Sequence, residues 1–208
     1  MSLATPSGDY YDFVPRPGSR LAFGLGDVSG KGTGAALIMT VLWATVRAWA
    51  EQEGEIVSII TQTNRVMCQT PGHAFVTFFL GDLNLDSGEL HYVNAGHLPP
   101  VLCRLRTREA VRLEDGGTVL GLFESPTFQV GRSRLDRGDV LVAFTDGITE
   151  SWGEGGVEFG EERVVEVVRS NAQLASQDLI DTILREVDRH TRGARPTDDR
   201  TLVVLKRK

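Results

Sequence analysis

The order in which hydrophobic periods succeed one another constrains this chain most. Residues Asp9–Val14 and Arg20–Val28 read as two strands joined by Pro15-Arg16-Pro17-Gly18, a turn signal. Steps of three and four follow. Ala35, Ile38, Met39, Leu42, Val46 and Trp49 line one helix, and Ile56, Ile59, Ile60, Thr63 and Met67 line a second that runs from Ile56 to Gln69 and ends at Pro71-Gly72. The middle of the chain returns to strand signals over Ala74–Leu85, Glu89–Asn94, Pro99–Arg104, Ala110–Leu113, Thr127–Leu135 and Asp139–Phe144. Two further amphipathic helices are predicted over Glu161–Ser170 and Gln177–His190, then a closing strand over Thr201–Leu205. Strands, two helices, many strands, two helices, strand: this is not the alternation of a doubly wound fold. It predicts an α+β fold in which antiparallel sheets pack together and carry a helix pair on each outer face.

Acidic residues gather where strands begin and end. The runs are Gly8-Asp9-Tyr10-Tyr11-Asp12, Gly26-Asp27-Val28-Ser29-Gly30 and Thr145-Asp146-Gly147, and a fourth pair, Asp198-Asp199, precedes the last strand. Any one of these is also what a turn requires. Asp27 and Asp146 differ from the rest because each follows an apolar strand, Leu21–Leu25 and Val140–Phe144. Carboxylates brought to strand ends beside glycines are a way to assemble an oxygen-only cation site from distant parts of a chain. Asp86, Asp115, Asp136 and Asp139 read as turn residues.

Other signals are weaker. The glycines of Gly24–Gly32 miss the phosphate-loop spacing, with five or three residues where four are needed and Gly32 after the lysine, and they miss the dinucleotide fingerprint by one position. Asp82–Gly88 imitates the start of a calcium loop, but Val93 stands where the bidentate glutamate belongs, so a hairpin turn is expected there. His97, in Asn94-Ala95-Gly96-His97, reads either as a ligand or acid or as a structural histidine fixing a loop. His73 is expected in a loop, His91 and His190 on the surface, and Trp43 and Trp49 in helix packing.

With 208 residues the chain is read as one domain, its first three residues as appended and the whole as excised from a longer regulatory protein. The net charge of −6, with no basic run longer than Lys206-Arg207-Lys208, speaks against nucleic-acid binding. Cys68 and Cys103 lack metal-type spacing and are expected to be reduced, buried and hydrophobic in role. No signal peptide and no apolar run of spanning length are read, so a cytoplasmic location without membrane contact is expected.

Five motifs taken together, Gly8-Asp9-Tyr10-Tyr11-Asp12-Phe13, Gly26-Asp27-Val28-Ser29-Gly30-Lys31-Gly32, Asn94-Ala95-Gly96-His97, Thr145-Asp146-Gly147-Ile148-Thr149-Glu150 and Asp198-Asp199-Arg200-Thr201, resemble the bacterial serine phosphatases of the stage II sporulation E and sigma-B regulator type, a branch of the PP2C-like (PPM) phosphatases. The resemblance runs from about Ser7 to Leu205. It implies a four-layer α-β-β-α sandwich of two mostly antiparallel sheets flanked by helix pairs. It implies hydrolysis of protein phosphoserine or phosphothreonine by a water activated by two or more Mn²⁺ or Mg²⁺ ions. The implied substrate is a phosphorylated anti-sigma factor antagonist of the STAS type. An upstream sensor or receiver domain and a homodimer are further implied partners. Carried over by position, Asp27 bridges both metals, the Val28 carbonyl is a further ligand, Asp146 and Asp198 hold one metal, and Asp9 stands near the other. Asp199 is a neighbour of the site. Two positions depart from the pattern: Ser7 replaces a first glycine, and Lys31 stands where many relatives carry histidine, which leaves it to attract phosphate as a point charge. The rivals are a catalytically weak docking module of the same fold and an ATP-dependent kinase, whose Asp-x-Gly-x-Gly loop this chain does not reproduce.

Overall fold

The computed structural model describes residues 8–72 and 74–207. Its elements, in chain order, are β1 (Asp9–Arg16), β2 (Arg20–Val28), α1 (Thr33–Ala50), α2 (Ile56–Gln69), β3 (Val76–Asn84), β4 (Glu89–Ala95), β5 (Val101–Cys103) and β6 (Ala110–Arg112). There follow β7 (Gly116–Gly117), β8 (Gly131–Arg134), β9 (Val140–Phe144), α3 (Asp146–Thr149), α4 (Glu161–Ser170), α5 (Ser176–His190) and β10 (Leu202–Lys206). The chain divides into two compact units, residues 1–97 with 114–134 and residues 98–113 with 135–208. Met1-Ser2-Leu3, Ser7 and His73 lie outside the described residues.

In the first unit β1, β2, β3 and β4 pair antiparallel in sequence order, and β4 also takes β7 in parallel and β8 antiparallel. Helices α1 and α2 pack together, with α1 against β1 and β2 and α2 against β3 and β4. The core joins Val14, Ala22, Val28, Phe78, Leu80 and Val93 of the sheet to Leu42, Val46, Ile56 and Ile60 of the helices. The predicted face of α2 is buried as read, every one of its five residues included. In α1 the buried line is Ala35, Leu42, Val46 and Ala50. Trp49 shares the helix face of Leu42 but does not join the buried line, being 37 % exposed one residue from the helix end. Trp43 is 43 % exposed, and the Arg47 guanidinium lies 5.2 Å from its ring centroid. Helix α1 also corrects the membrane reading, since its 18 residues are long and apolar enough to cross a bilayer by length and composition. It also lays Ala35, Leu42, Val46 and Ala50 against the core of the first unit.

In the second unit the sheet order is β10-β9-β5-β6, antiparallel throughout. Val101, Val140, Val142, Phe144 and Val204 pack with Val164 and Val168 of α4 and Leu179, Ile183 and Val187 of α5. Cys103 is buried in that core, while Cys68 on α2 of the first unit is only half-buried, against expectation. Both are free thiols.

Two buried carboxylates escaped the turn reading. Asp139 accepts hydrogen bonds from the Leu105 and Asp136 N–H groups (3.1 Å each) and from Arg104 Nη1 (3.1 Å), so it anchors a loop rather than simply turning the chain. Asp82 is held by Arg16 and Arg20. The hairpin expected after it is present: the Asn84 side chain accepts the Asp86 and Ser87 N–H groups (3.0 and 2.8 Å), and Gly88 takes φ +78°. His190, expected on the surface, packs edge-on against Phe159 with ring centroids 5.6 Å apart.

Candidate functional site

The β1–β2 ladder ends with Asp9 opposite Asp27, one residue before β2 itself ends at Val28. Gly8 closes this corner. Its carbonyl accepts the Val28 N–H (3.3 Å), and a Cβ added to it would lie 3.2 Å from the Val28 carbonyl oxygen and 3.5 Å from Asp27 Oδ1. The missing side chain therefore leaves room beside a carbonyl and a carboxylate. Below them Gly26 admits the Phe78 ring, which a Cβ would meet at 2.7 Å. The loop after Val28 is pinned on Phe75, whose carbonyl accepts the Ser29 N–H and whose N–H donates to Ser29 Oγ, both at 2.9 Å. Lys31 is exposed on that loop, between Gly30 and Gly32 at φ +103° and +78°. Asp12, from the same first motif, serves another purpose: its carboxylate takes a two-pronged contact from Arg47 (2.6 and 2.9 Å).

His97 is buried and fixes a loop. Its N–H donates to Asn94 Oδ1 (2.8 Å), its carbonyl accepts Asn94 Nδ2 (3.0 Å), and its Nδ1 lies 3.0 Å from Thr77 Oγ1. The same Thr77 hydroxyl reaches the Asp27 carbonyl at 3.4 Å. Thr77 thus ties the Asn94–His97 motif to the strand that presents Asp27, a role with no sequence signal, because its strand reads as uniformly apolar.

In the second unit Asp146 opens α3 directly after β9. Gly147 is pressed against the carbonyl of Asp199: a Cβ there would lie 1.9 Å from that oxygen. Thr145 completes the junction, donating its N–H to the Thr201 carbonyl (3.1 Å) and accepting the Thr201 N–H on its hydroxyl (3.0 Å). These bonds bring the Asp146 turn and the Asp198-Asp199 pair together. The Asp199 N–H donates to Asp198 Oδ1 at 2.9 Å. Glu150, not singled out from sequence, belongs with them. Its carboxyl is pushed up, first by burial and then by the negative charges of Asp146, Glu158 and Asp198.

The structure therefore forms two acidic groupings: Asp9 with Asp27, and Asp146 with Asp198 and Glu150. Among the described residues, no three His, Cys, Asp or Glu side chains form a group that would hold a metal ion. The donors are nevertheless all hard oxygens, the Val28 carbonyl beside the room left by Gly8 included. That chemistry fits Mn²⁺ or Mg²⁺ and not a soft metal.

The two sheets with their helix pairs have the fold of solved PP2C phosphatase domains. The chain belongs to the stage II sporulation protein E (SpoIIE) family, whose profile matches residues 17–208. The phosphoserine phosphatase RsbU of Bacillus subtilis is 31 % identical over 206 residues, covering 97 % of this chain and 60 % of RsbU. The RsbU and RsbW domains of Rv1364c from Mycobacterium tuberculosis superpose with a TM-score of 0.81 at 29 % identity, over all of this chain and 56 % of that one. RsbX in complex with magnesium shares the fold at 16 % identity and a TM-score of 0.69, over 95 % of this chain and 86 % of its own. The chain spans between 36 % and 60 % of the length of the curated relatives it matches first.

Proposed function

We propose that this chain removes phosphate from phosphoserine or phosphothreonine on a protein, with Mn²⁺ or Mg²⁺ as cofactor. The observation that carries the reading is the Asp9–Asp27 cross-strand pair with the Val28 carbonyl beside it, in a chain of the SpoIIE family. Asp9, Asp27 and the Val28 carbonyl are the proposed ligands from the first unit, and Asp146 and Asp198 those from the second. Divalent cations bound by these oxygen donors would supply a water of lowered pKa and charge neutralisation for the phosphoryl oxygens. The chain's own residues do the rest. Thr77 and His97 hold the strand of Asp27 in place, Gly147 lets Asp146 approach Asp199, and Lys31 attracts the phosphate from its exposed loop. Asp199 accepts the Thr145 hydroxyl on its backbone carbonyl (3.5 Å), which leaves its carboxylate available as a further ligand. The proposed substrate is a phosphorylated anti-sigma factor antagonist of the STAS type in the cytoplasm, with an upstream sensor domain or a second copy as regulator.

The test is hydrolysis of p-nitrophenyl phosphate with Mn²⁺, with EDTA, and with Asp27→Asn and Asp146→Asn. Metal-dependent turnover lost in both variants is expected. Turnover in EDTA, or wild-type rates in either variant, would overturn the reading. A wild-type chain that binds Mn²⁺ without turnover would instead be the docking module.

A further inference from the structure

Helix α3 runs from Asp146 straight into a short hairpin at 151–159. Its base is tied to the Asp146 turn: Ser151 Oγ donates to the Gly147 carbonyl (2.8 Å) and the Gly160 N–H to the Thr149 carbonyl (2.9 Å). Across the hairpin Trp152 pairs with Glu158, and the Gly153 N–H donates to the Val157 carbonyl (2.8 Å). One face is clasped from below. His190 Nε2 lies 2.9 Å from the Val157 carbonyl, and a Cβ on Gly153 would meet that nitrogen at 2.6 Å. Arg163 Nη1 donates to the Glu158 and Phe159 carbonyls (2.8 and 3.1 Å). Strand alternation turns Trp152 and Glu158 to the face opposite Gly153. There the indole is 54 % exposed. Glu158 acts on Glu150 through its charge, as do Asp146 and Asp198. An exposed aromatic ring is thus paired across the hairpin with Glu158 and stands two residues after Glu150.

We propose that Trp152, flanked by Glu150 and Glu158, is the surface on which the phosphoserine-bearing segment of the substrate protein docks, and that it selects segments with Arg or Lys beside the phosphoserine. The proposal rests on the phosphatase reading and deepens it. A guanidinium or ammonium over an indole face is attracted by the ring quadrupole. The two glutamates add charge complementarity for the same cation and repel acidic flanks. The hairpin is held rigid from its other face, so the ring is presented at little ordering cost.

The test uses phosphoserine peptides that differ only in carrying Arg, Ala or Glu next to the phosphoserine, assayed with Mn²⁺. The wild-type chain should show kcat/KM falling from Arg to Ala to Glu. The Arg-over-Ala ratio should drop roughly three- to thirtyfold in Trp152→Ala, persist in Trp152→Phe, and narrow in Glu158→Gln. No preference for Arg in the wild type, or an unchanged ratio in Trp152→Ala, would overturn the proposal. Should the wild type hydrolyse neither these peptides nor p-nitrophenyl phosphate, the phosphatase reading fails by itself, and binding then decides the docking surface. Replacing Trp43 and Trp49 by Phe leaves Trp152 as the single tryptophan of the three. Its fluorescence should respond to the Arg peptide in EDTA and not to the Glu peptide, and a signal indifferent to both would sink the proposal.

Discussion

Gly147 and the carbonyl of Asp199 are in closer contact than any side chain would permit, since a Cβ at 147 would lie 1.9 Å from that oxygen. The Asp-Gly step of the third acidic motif is therefore a requirement of approach, beyond any turn preference. Gly147→Ala should push the 198–199 segment away from Asp146. Phosphatase turnover is expected to fall at least about tenfold, with a stability loss of about 1–3 kcal/mol from the forced displacement. Kinetics with p-nitrophenyl phosphate beside a urea melt measure both. Wild-type turnover would show that the contact does not position Asp198.

The Arg16–Asp82–Arg20 group gives a graded prediction. The Arg16 side chain is 2 % exposed and that of Arg20 34 %, while the Asp82 carboxylate is fully enclosed between them. Arg16 Nε also donates to the Ala50 carbonyl (2.9 Å) and Nη2 to the Gly54 carbonyl (2.8 Å), so it fastens the end of α1 to β1. Asp82→Ala leaves a guanidinium buried without its counter-charge and should cost about 3–5 kcal/mol. Arg20→Ala leaves Asp82 still paired and should cost about 1 kcal/mol or less. Equal urea midpoints for the two variants would contradict this ordering.

What was legible in the sequence was what periodicity and adjacency carry. The α2 face, the β2 boundaries and the helix pair α4–α5 were read correctly because their apolar steps are regular. The β7 strand was not, because Gly116 and Gly117 have no side chains to form a pattern. They pair with β4 for that very reason, since a Cβ on Gly116 would lie 1.9 Å from the Asn94 carbonyl oxygen. Asp9 and Asp27 were readable as candidates, but their opposition depends on ladder register, which is a tertiary fact. Asp139 and Asp82 resembled turn residues because their cationic partners lie 35 and 66 positions away. Glu150 sat within a quoted motif, yet only the fold brings it near Asp198.

Alkaline stability should carry the signature of the second core. Burial pushes the Cys103 thiol up to about 11, with Arg169 opposing and Asp139 adding to the shift. The folded chain thus holds this proton where the unfolded chain, with an ordinary thiol near pH 8.5, releases it. The associated stability is fully present below about pH 8.5 and is lost as pH rises towards 11. Between pH 8 and 10 the unfolding free energy should fall by about 1–2 kcal/mol on this account, and Cys103→Ala should flatten that part of the profile. Tyr92, raised to about 12 by burial and then by its hydrogen bond to Asp115, extends the decline above pH 10 in both proteins. A Cys103→Ala chain whose urea midpoint falls as steeply as that of the wild type over pH 8–10 would refute the assignment.

The hairpin after Asp146 should depend on the His190 clasp. Gly153 faces the imidazole, with 2.6 Å from a would-be Cβ to Nε2 and 2.9 Å to the His190 carbonyl, so Gly153→Ala must shift either the hairpin or α5. His190→Ala removes the contact to the Val157 carbonyl and the edge-on packing on Phe159, and should cost about 1–2 kcal/mol. Both variants should be cleaved faster than the wild type within 153–157 during brief proteolysis, because Gly155 and Gly156 at the tip offer no restraint of their own. The more telling readout is the Arg-over-Ala peptide preference. If Trp152 reads the substrate from a hairpin held by His190, that preference should weaken in Gly153→Ala even though the indole is retained. A preference that survives while cleavage within 153–157 accelerates would mean that Trp152 does not need the clasp to be in place.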